Sequence, residues 1–90
     1  MADYFAYIIQ SEVDGTFYKG FTTDIIARLK RHNEGRSRYT SRKIPWKLVY
    51  LEKCESKTAG LVRENQLKKY NPKYILWLIK QPINIAKYYQ

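Results

Sequence analysis

Five polar side chains stand where plain packing does not ask for them. Tyr7 and Tyr18 fall near the middle of two short apolar runs, residues 4–9 and 16–21. Arg28 and His32 lie four apart in a stretch patterned as a helix, hence one above the other on one face. Glu64 lies between Leu61 and Leu67, three residues from each, so it shares or borders an apolar helical stripe. Two phenols, a guanidinium and an imidazole brought together could handle a phosphate and a water. A carboxylate on an apolar stripe must find a cation, because an unpaired buried charge is costly. A metal ion would satisfy Glu64, and so would Arg28 or Arg63.

Each group also has a plainer role. Tyr7 can be a core residue with its hydroxyl at an edge, since a buried tyrosine usually finds a hydrogen-bond partner. Arg28 can be a solvated helix residue. His32 can be a cation against the helix dipole, worth about 0.3–1 kcal/mol. What separates the readings is whether the elements carrying these residues converge.

Residues 4–9 are aromatic and β-branched, which favours a strand. Phe5, Tyr7 and Ile9 share one side, and Tyr4, Ala6 and Ile8 the other; both sides are largely apolar, as in a central strand covered on both faces. Val13-Asp14-Gly15 signals a turn, and residues 16–21 read as the returning strand of an antiparallel hairpin. Residues 22–24 offer caps for a helix over about 24–34, with Ile25, Ile26 and Leu29 as its apolar stripe and Gly35 as its stop. After Pro45, a third strand runs over 46–52. Ser56 caps a second helix that reaches about Tyr70, with Leu61 and Leu67 inward. Asn71-Pro72 opens a third helix over 72–80, anchored by Ile75, Leu76, Trp77 and Ile79, and Pro82 ends it. Gly60 costs its helix roughly 1 kcal/mol relative to Ala, which a close approach to the sheet would explain. The expected fold is α/β: a small three-stranded mixed sheet, first two strands antiparallel, flanked by three helices in the order β-β-α-β-α-α. It forms one domain over residues 1–90, with a core at 4–80 and a tail at 81–90; residues 1–3 are a loose start.

Taken in order, these residues resemble the GIY-YIG nuclease domain. Phe5-Ala6-Tyr7 stands where that family has Gly-Ile-Tyr, and Tyr18-Lys19-Gly20 where it has Tyr-Ile-Gly. The separations from Tyr7 to Tyr18 and from Gly20 to Arg28 match the family, and Glu64 matches its metal-binding glutamate. The resemblance covers residues 4–80 and is closest to small stand-alone bacterial members; the nuclease domain of the bacterial excision-repair incision subunit is similar. It implies a metal-dependent endonuclease acting on DNA, with structured or damaged DNA in repair or recombination as the suggested substrate. A non-catalytic nucleic-acid-binding module on the same scaffold is the alternative, and a protein-interaction domain using the C-terminal aromatics is a third. On the resemblance, Tyr7 is the general base or orients the water, Tyr18 bonds the phosphate or the water, and Arg28 binds the scissile phosphate. His32 assists Tyr7 or the phosphate, and Glu64 holds one Mg2+ or Mn2+. Homing members place a further His in the loop after the first helix; this chain has none there, and Tyr39 is the candidate for its place. Many members carry an Asn after the glutamate, expected here near Ile75; Asn71 is read as a cap instead.

Composition sets the outer bounds. The 90 residues are 44% hydrophobic and 28% charged, enough to fold around a modest core. No apolar run approaches the roughly 20 residues that span a bilayer. Nothing at the N-terminus signals export, and a single cysteine, Cys54, suits a reducing cytoplasm. One Cys and one His exclude a conventional zinc site. The net charge of +9 attracts polyanions. DNA is the expected partner, with RNA left open, an anionic membrane surface disfavoured, and a larger protein partner expected for targeting. Residues 36–43 carry four cations and no acid among hydroxyls, which suits phosphate contact or simply a solvated loop. Lys19, Lys30, Arg31, Arg36, Arg38 and Arg42 are the expected backbone contacts, with Tyr39 stacking on a base or orienting a phosphate.

Overall fold

The computed structural model describes residues 3–90. The expected loose start at residues 1 and 2 lies outside them. Strand β1 (Tyr4–Ser11) is central; β2 (Phe17–Thr22) and β3 (Trp46–Cys54) flank it in the order β2-β1-β3. Both neighbours run antiparallel to β1, so the sheet is antiparallel throughout rather than mixed. Helix α1 (Ile25–Asn33) leads to the start of β3. Asn33 brackets the first residue of β3: its Oδ1 accepts from Trp46 N at 2.6 Å and its Nδ2 donates to Trp46 O at 2.9 Å. Helices α2 (Lys57–Lys68) and α3 (Pro72–Ile79) follow, capped by Ser56 and Asn71 as expected, and a short 3-10 turn covers Ala86–Tyr88.

Two cores form, one on each side of β1. Phe5, Tyr7 and Ile9 meet Ile25 of α1, Trp46, Leu48, Leu51 and Ala86 of the tail. Ala6 and Ile8 meet Tyr50, Leu67, Ile75 and Leu78 under α2 and α3. Leu48 and Leu51 share a side although they are three apart. A bulge makes this possible: Ile8 pairs with Tyr50, Ile9 pairs with Leu48, and the extra residue resets the alternation.

Several expected anchors face water instead. Ile26, Leu61, Leu76 and Trp77 are exposed, and the inward positions are Ile25, Leu67, Ile75 and Leu78. Each short helix touches the sheet through a narrow stripe, so residues beside the stripe are left out. The tail packs back along β3. Asn84 Oδ1 accepts from Leu51 N at 3.0 Å, Asn84 Nδ2 donates to Val49 O at 2.9 Å, and Ile85 N donates to Leu51 O at 2.9 Å. No helix among the described residues is long and apolar enough to cross a membrane.

Candidate active site

Tyr7 and Gly20 face one another across the β1–β2 pair. The Tyr7 ring lies on Gly20 so closely that a Cβ there would overlap its Oη and Cζ. A side chain at position 20 is therefore excluded, and the absent one lets the phenol run across the sheet toward α1. There it meets His32: Tyr7 Oη and His32 Nε2 are 2.9 Å apart. The other ring nitrogen, Nδ1, is 2.8 Å from Thr40 Oγ1. All three side chains are buried, at 1%, 2% and 0% exposure.

The Thr40 hydroxyl also lies 3.4 Å from Ser37 O. In the His32 tautomer protonated at Nδ1, that nitrogen donates to Thr40 Oγ1 and the bare Nε2 accepts the Tyr7 proton. Thr40 is held in turn: its carbonyl accepts from the Trp46 indole at 2.9 Å and from Lys43 N at 3.2 Å. The basic loop is thus folded around one threonine. Tyr18 completes the group, with its ring centroid 5.1 Å from the His32 ring and 6.3 Å from the Trp46 ring.

Burial and charge tune both titratable groups. Burial pushes the Tyr7 phenol well above its ordinary value; Tyr18 adds to the rise, Arg28 pulls the other way, and the Glu64 carboxylate raises it further. Burial takes His32 down to about 4, and the charges of Arg28 and Arg31 push in the same direction. At neutral pH the pair is therefore a neutral phenol hydrogen-bonded to a neutral imidazole. Arg28 favours the phenolate of Tyr7, yet burial outweighs it.

An open pocket of about 340 Å³ lies beside this pair. It is lined by Tyr18, Arg28, His32 and Ser37 together with Arg31, Arg36, Arg38 and Tyr39. Four guanidinium groups around one cavity concentrate positive charge there, with Arg36 also paired to Glu34 at 3.3 Å. Three expected phosphate-binding residues are not in its lining. Lys19 pairs with Ile8 across the ladder and so belongs to the α2 face, and Lys30 and Arg42 are exposed elsewhere. Tyr39 is 83% exposed and does not touch His32; the neighbour that does is Thr40, which spacing does not single out. Its signal is faint: a hydroxyl in a loop, with no period to mark it as inward.

Glu64, on α2, is not in the lining of this pocket, although its carboxylate is near enough to raise the Tyr7 phenol. Gly60 is buried against Phe21 of β2, where a Cβ would overlap the ring, so the helix sits close on that strand. Glu64 is one turn further along the same face. Its partner is Lys68, at 3.4 Å, rather than Arg28 or Arg63; Arg63 pairs with Glu52 at 2.9 Å. Among the described residues no three His, Cys, Asp or Glu side chains gather to enclose a metal. A half-buried single carboxylate suits an ion such as Mg2+ or Mn2+ that keeps its waters and takes its other ligands from a phosphate. Ile75, where an asparagine is expected, is fully buried in the α2–α3 core and carries no amide.

Residues 3–75 match the GIY-YIG catalytic domain. The chain belongs to the GIY-YIG family. GIY-YIG domains are generally endonucleases that bind nucleic acid and use divalent metal ions. UPF0213 proteins of Staphylococcus aureus, from strains Mu50 and MW2 among others, are 39% identical over 82 residues, covering 90% of this chain and 99% of theirs. The solution NMR structure of the UPF0213 protein BH0048 from Bacillus halodurans superposes with a TM-score of 0.58 at 27% identity, covering 94% of this chain and 90% of that one. The GIY-YIG match spans β1 through the first half of α3, and so includes Tyr7, Tyr18, Arg28, His32 and Glu64.

Proposed function

We propose that this GIY-YIG protein is a cytoplasmic, metal-dependent endonuclease that hydrolyses phosphodiester bonds in DNA, acting on branched or damaged substrates in repair or recombination. The observation that supports it most is the hydrogen-bonded chain Tyr7–His32–Thr40 beside a pocket of four arginines.

Arg28 binds the scissile phosphate and offsets the charge that develops on it, with Arg31, Arg36 and Arg38 holding neighbouring phosphates. Tyr18 donates to a non-bridging oxygen. The attacking water donates to Tyr7 Oη, whose own proton, in the His32 tautomer protonated at Nδ1, is committed to His32 Nε2. As the water oxygen bonds to phosphorus, its proton passes to Tyr7 and the Tyr7 proton passes to His32. The opposite P–O bond breaks, and the leaving oxygen is protonated from solvent. This relay never requires a free phenolate, which burial makes scarce. His32 becomes a better acceptor once phosphate oxygens offset Arg28 and Arg31, two of the charges that hold it down. Glu64 would hold one Mg2+ or Mn2+, whose contribution when bound would be Lewis-acid chemistry at the phosphate.

Nicking of plasmid and branched DNA should require Mg2+ or Mn2+ and vanish in Arg28→Ala and in Glu64→Ala. Cleavage at the same rate by wild type and both variants means that a contaminant cuts. A second reading is a nucleic-acid-binding module without turnover. The Lys68 ammonium beside Glu64 and the raised Tyr7 phenol favour it. It predicts DNA binding with no cleavage, whatever the divalent ion or substrate shape.

A further inference from the structure

Tyr74 and Trp77 on the outer face of α3 continue a row of aromatic rings that starts at Tyr70, which packs against the α2–α3 core. Tyr70 and Tyr74 have ring centroids 4.3 Å apart, and Tyr74 and Trp77 5.3 Å apart, so the three form a ladder. Its outer rungs are open to solvent, Tyr74 at 40% and Trp77 at 53% exposure, while Ile75 and Leu78 of the same helix are core. The inner rung is fixed: Arg63 Nη1 donates to Tyr70 Oη at 3.2 Å, and the guanidinium carbon lies 5.8 Å from the Tyr70 centroid. The rings therefore form a preset surface.

The charge around the ladder has one sign. Beyond Glu64 the sequence holds five lysines, at 68, 69, 73, 80 and 87, and no Asp or Glu. Among the described residues only Lys68 of these five is in an ion pair. Lys73 precedes Trp77 by four residues and Lys80 follows it by three, so both flank the indole on one helix face. Contiguous rings, tilted to one another by 52° and 36°, among uncompensated cations suit a polyanion that presents flat apolar faces. Unpaired nucleotides do so, whereas a duplex hides its base faces in the stack.

We propose that Tyr74 and Trp77, backed by Tyr70 and flanked by Lys73 and Lys80, form a stacking platform for the unpaired bases of single-stranded nucleic acid. The platform lies across the sheet from the arginine pocket. It gives the proposed nuclease a preference for DNA with a single-stranded arm, and only that preference rests on the nuclease reading; the binding itself does not need cleavage.

The full chain can be tested with a short oligothymidylate. Trp46 is buried and Trp77 is exposed, so stacking should quench the Trp77 share of the fluorescence saturably, and Trp77→Leu should abolish the quenching. Anisotropy with the labelled strand should show roughly 5- to 150-fold weaker binding in Trp77→Ala and in Tyr74→Ala, the range expected for removal of one base stack. Duplex affinity should be unchanged in both. Lys73→Ala with Lys80→Ala should flatten the log–log salt slope by about 0.7 for each strand phosphate no longer neutralised. Unchanged single-strand affinity in both aromatic variants overturns the platform. So does equal quenching by duplex, or a wild-type dimer that Trp77→Ala makes monomeric, which would assign the ladder to the interface between copies. Duplex nicking should survive in Trp77→Ala. Retained quenching with no nicking by any form of the protein would refute the nuclease reading and leave the platform standing.

Discussion

His32 is the residue on which the site turns. Both its nitrogens are bonded and its ring is buried, so the folded protein keeps it neutral down to about pH 4, while an unfolded chain takes up the proton near its ordinary 6.5. Between those values the unfolded state binds more protons, so stability rises with pH across the window. His32 thus leaves stability intact above the upper value and withdraws it as pH falls toward the lower one, by about 1.4 kcal/mol per unit of pH. Denaturant melts at neutral and mildly acidic pH should show this slope, and His32→Gln should flatten it. A wild-type midpoint that does not move across the window would mean that the imidazole is not held neutral. That Tyr7 and Tyr18 lie on adjacent strands and Arg28 and His32 on one helix face is legible in the sequence because each sits in a periodic element; that they form a set is implied by the resemblance to GIY-YIG domains. Thr40 is not legible, because its bond to His32 depends on a loop whose shape is set by the Trp46 indole.

At the scale of elements, two glycines decide how closely the layers approach. Gly20 leaves room for the Tyr7 phenol, and Gly60 lets α2 settle on Phe21. Gly20→Ala should displace the Tyr7 ring and separate it from His32, at about 1–3 kcal/mol of stability, as overpacking usually costs. Cleavage should fall further than the melting shift explains, since the phenol and not the fold bears the displacement. A variant that cuts at the wild-type rate would detach Tyr7 from the reaction. The caps at Asp24, Ser56 and Asn71 are readable because a cap is local, a side chain closing on an amide three residues ahead. The direction of β3 and its bulge are not, for both depend on pairing with a strand some forty residues earlier.

For the molecule as a whole, the charge of +9 announces a polyanion partner, but the sum says nothing about where the cations point. The fold sorts them: Arg28, Arg31, Arg36 and Arg38 gather at the pocket, and Lys73 and Lys80 lie along α3. Arg36→Ala with Arg38→Ala should weaken duplex binding and flatten its log–log salt slope by about 0.9 for each duplex phosphate left without its arginine. A slope equal to that of wild type would take the loop out of the interface. The tail has a different significance. Because Asn84 and Ile85 satisfy the outer edge of β3, a nascent chain leaves that edge bare from the moment β3 is made until Asn84 clears the ribosome. At about 5–20 residues per second the delay is on the order of seconds, a window in which a translating polysome presents neighbouring copies with matching, unsaturated amides.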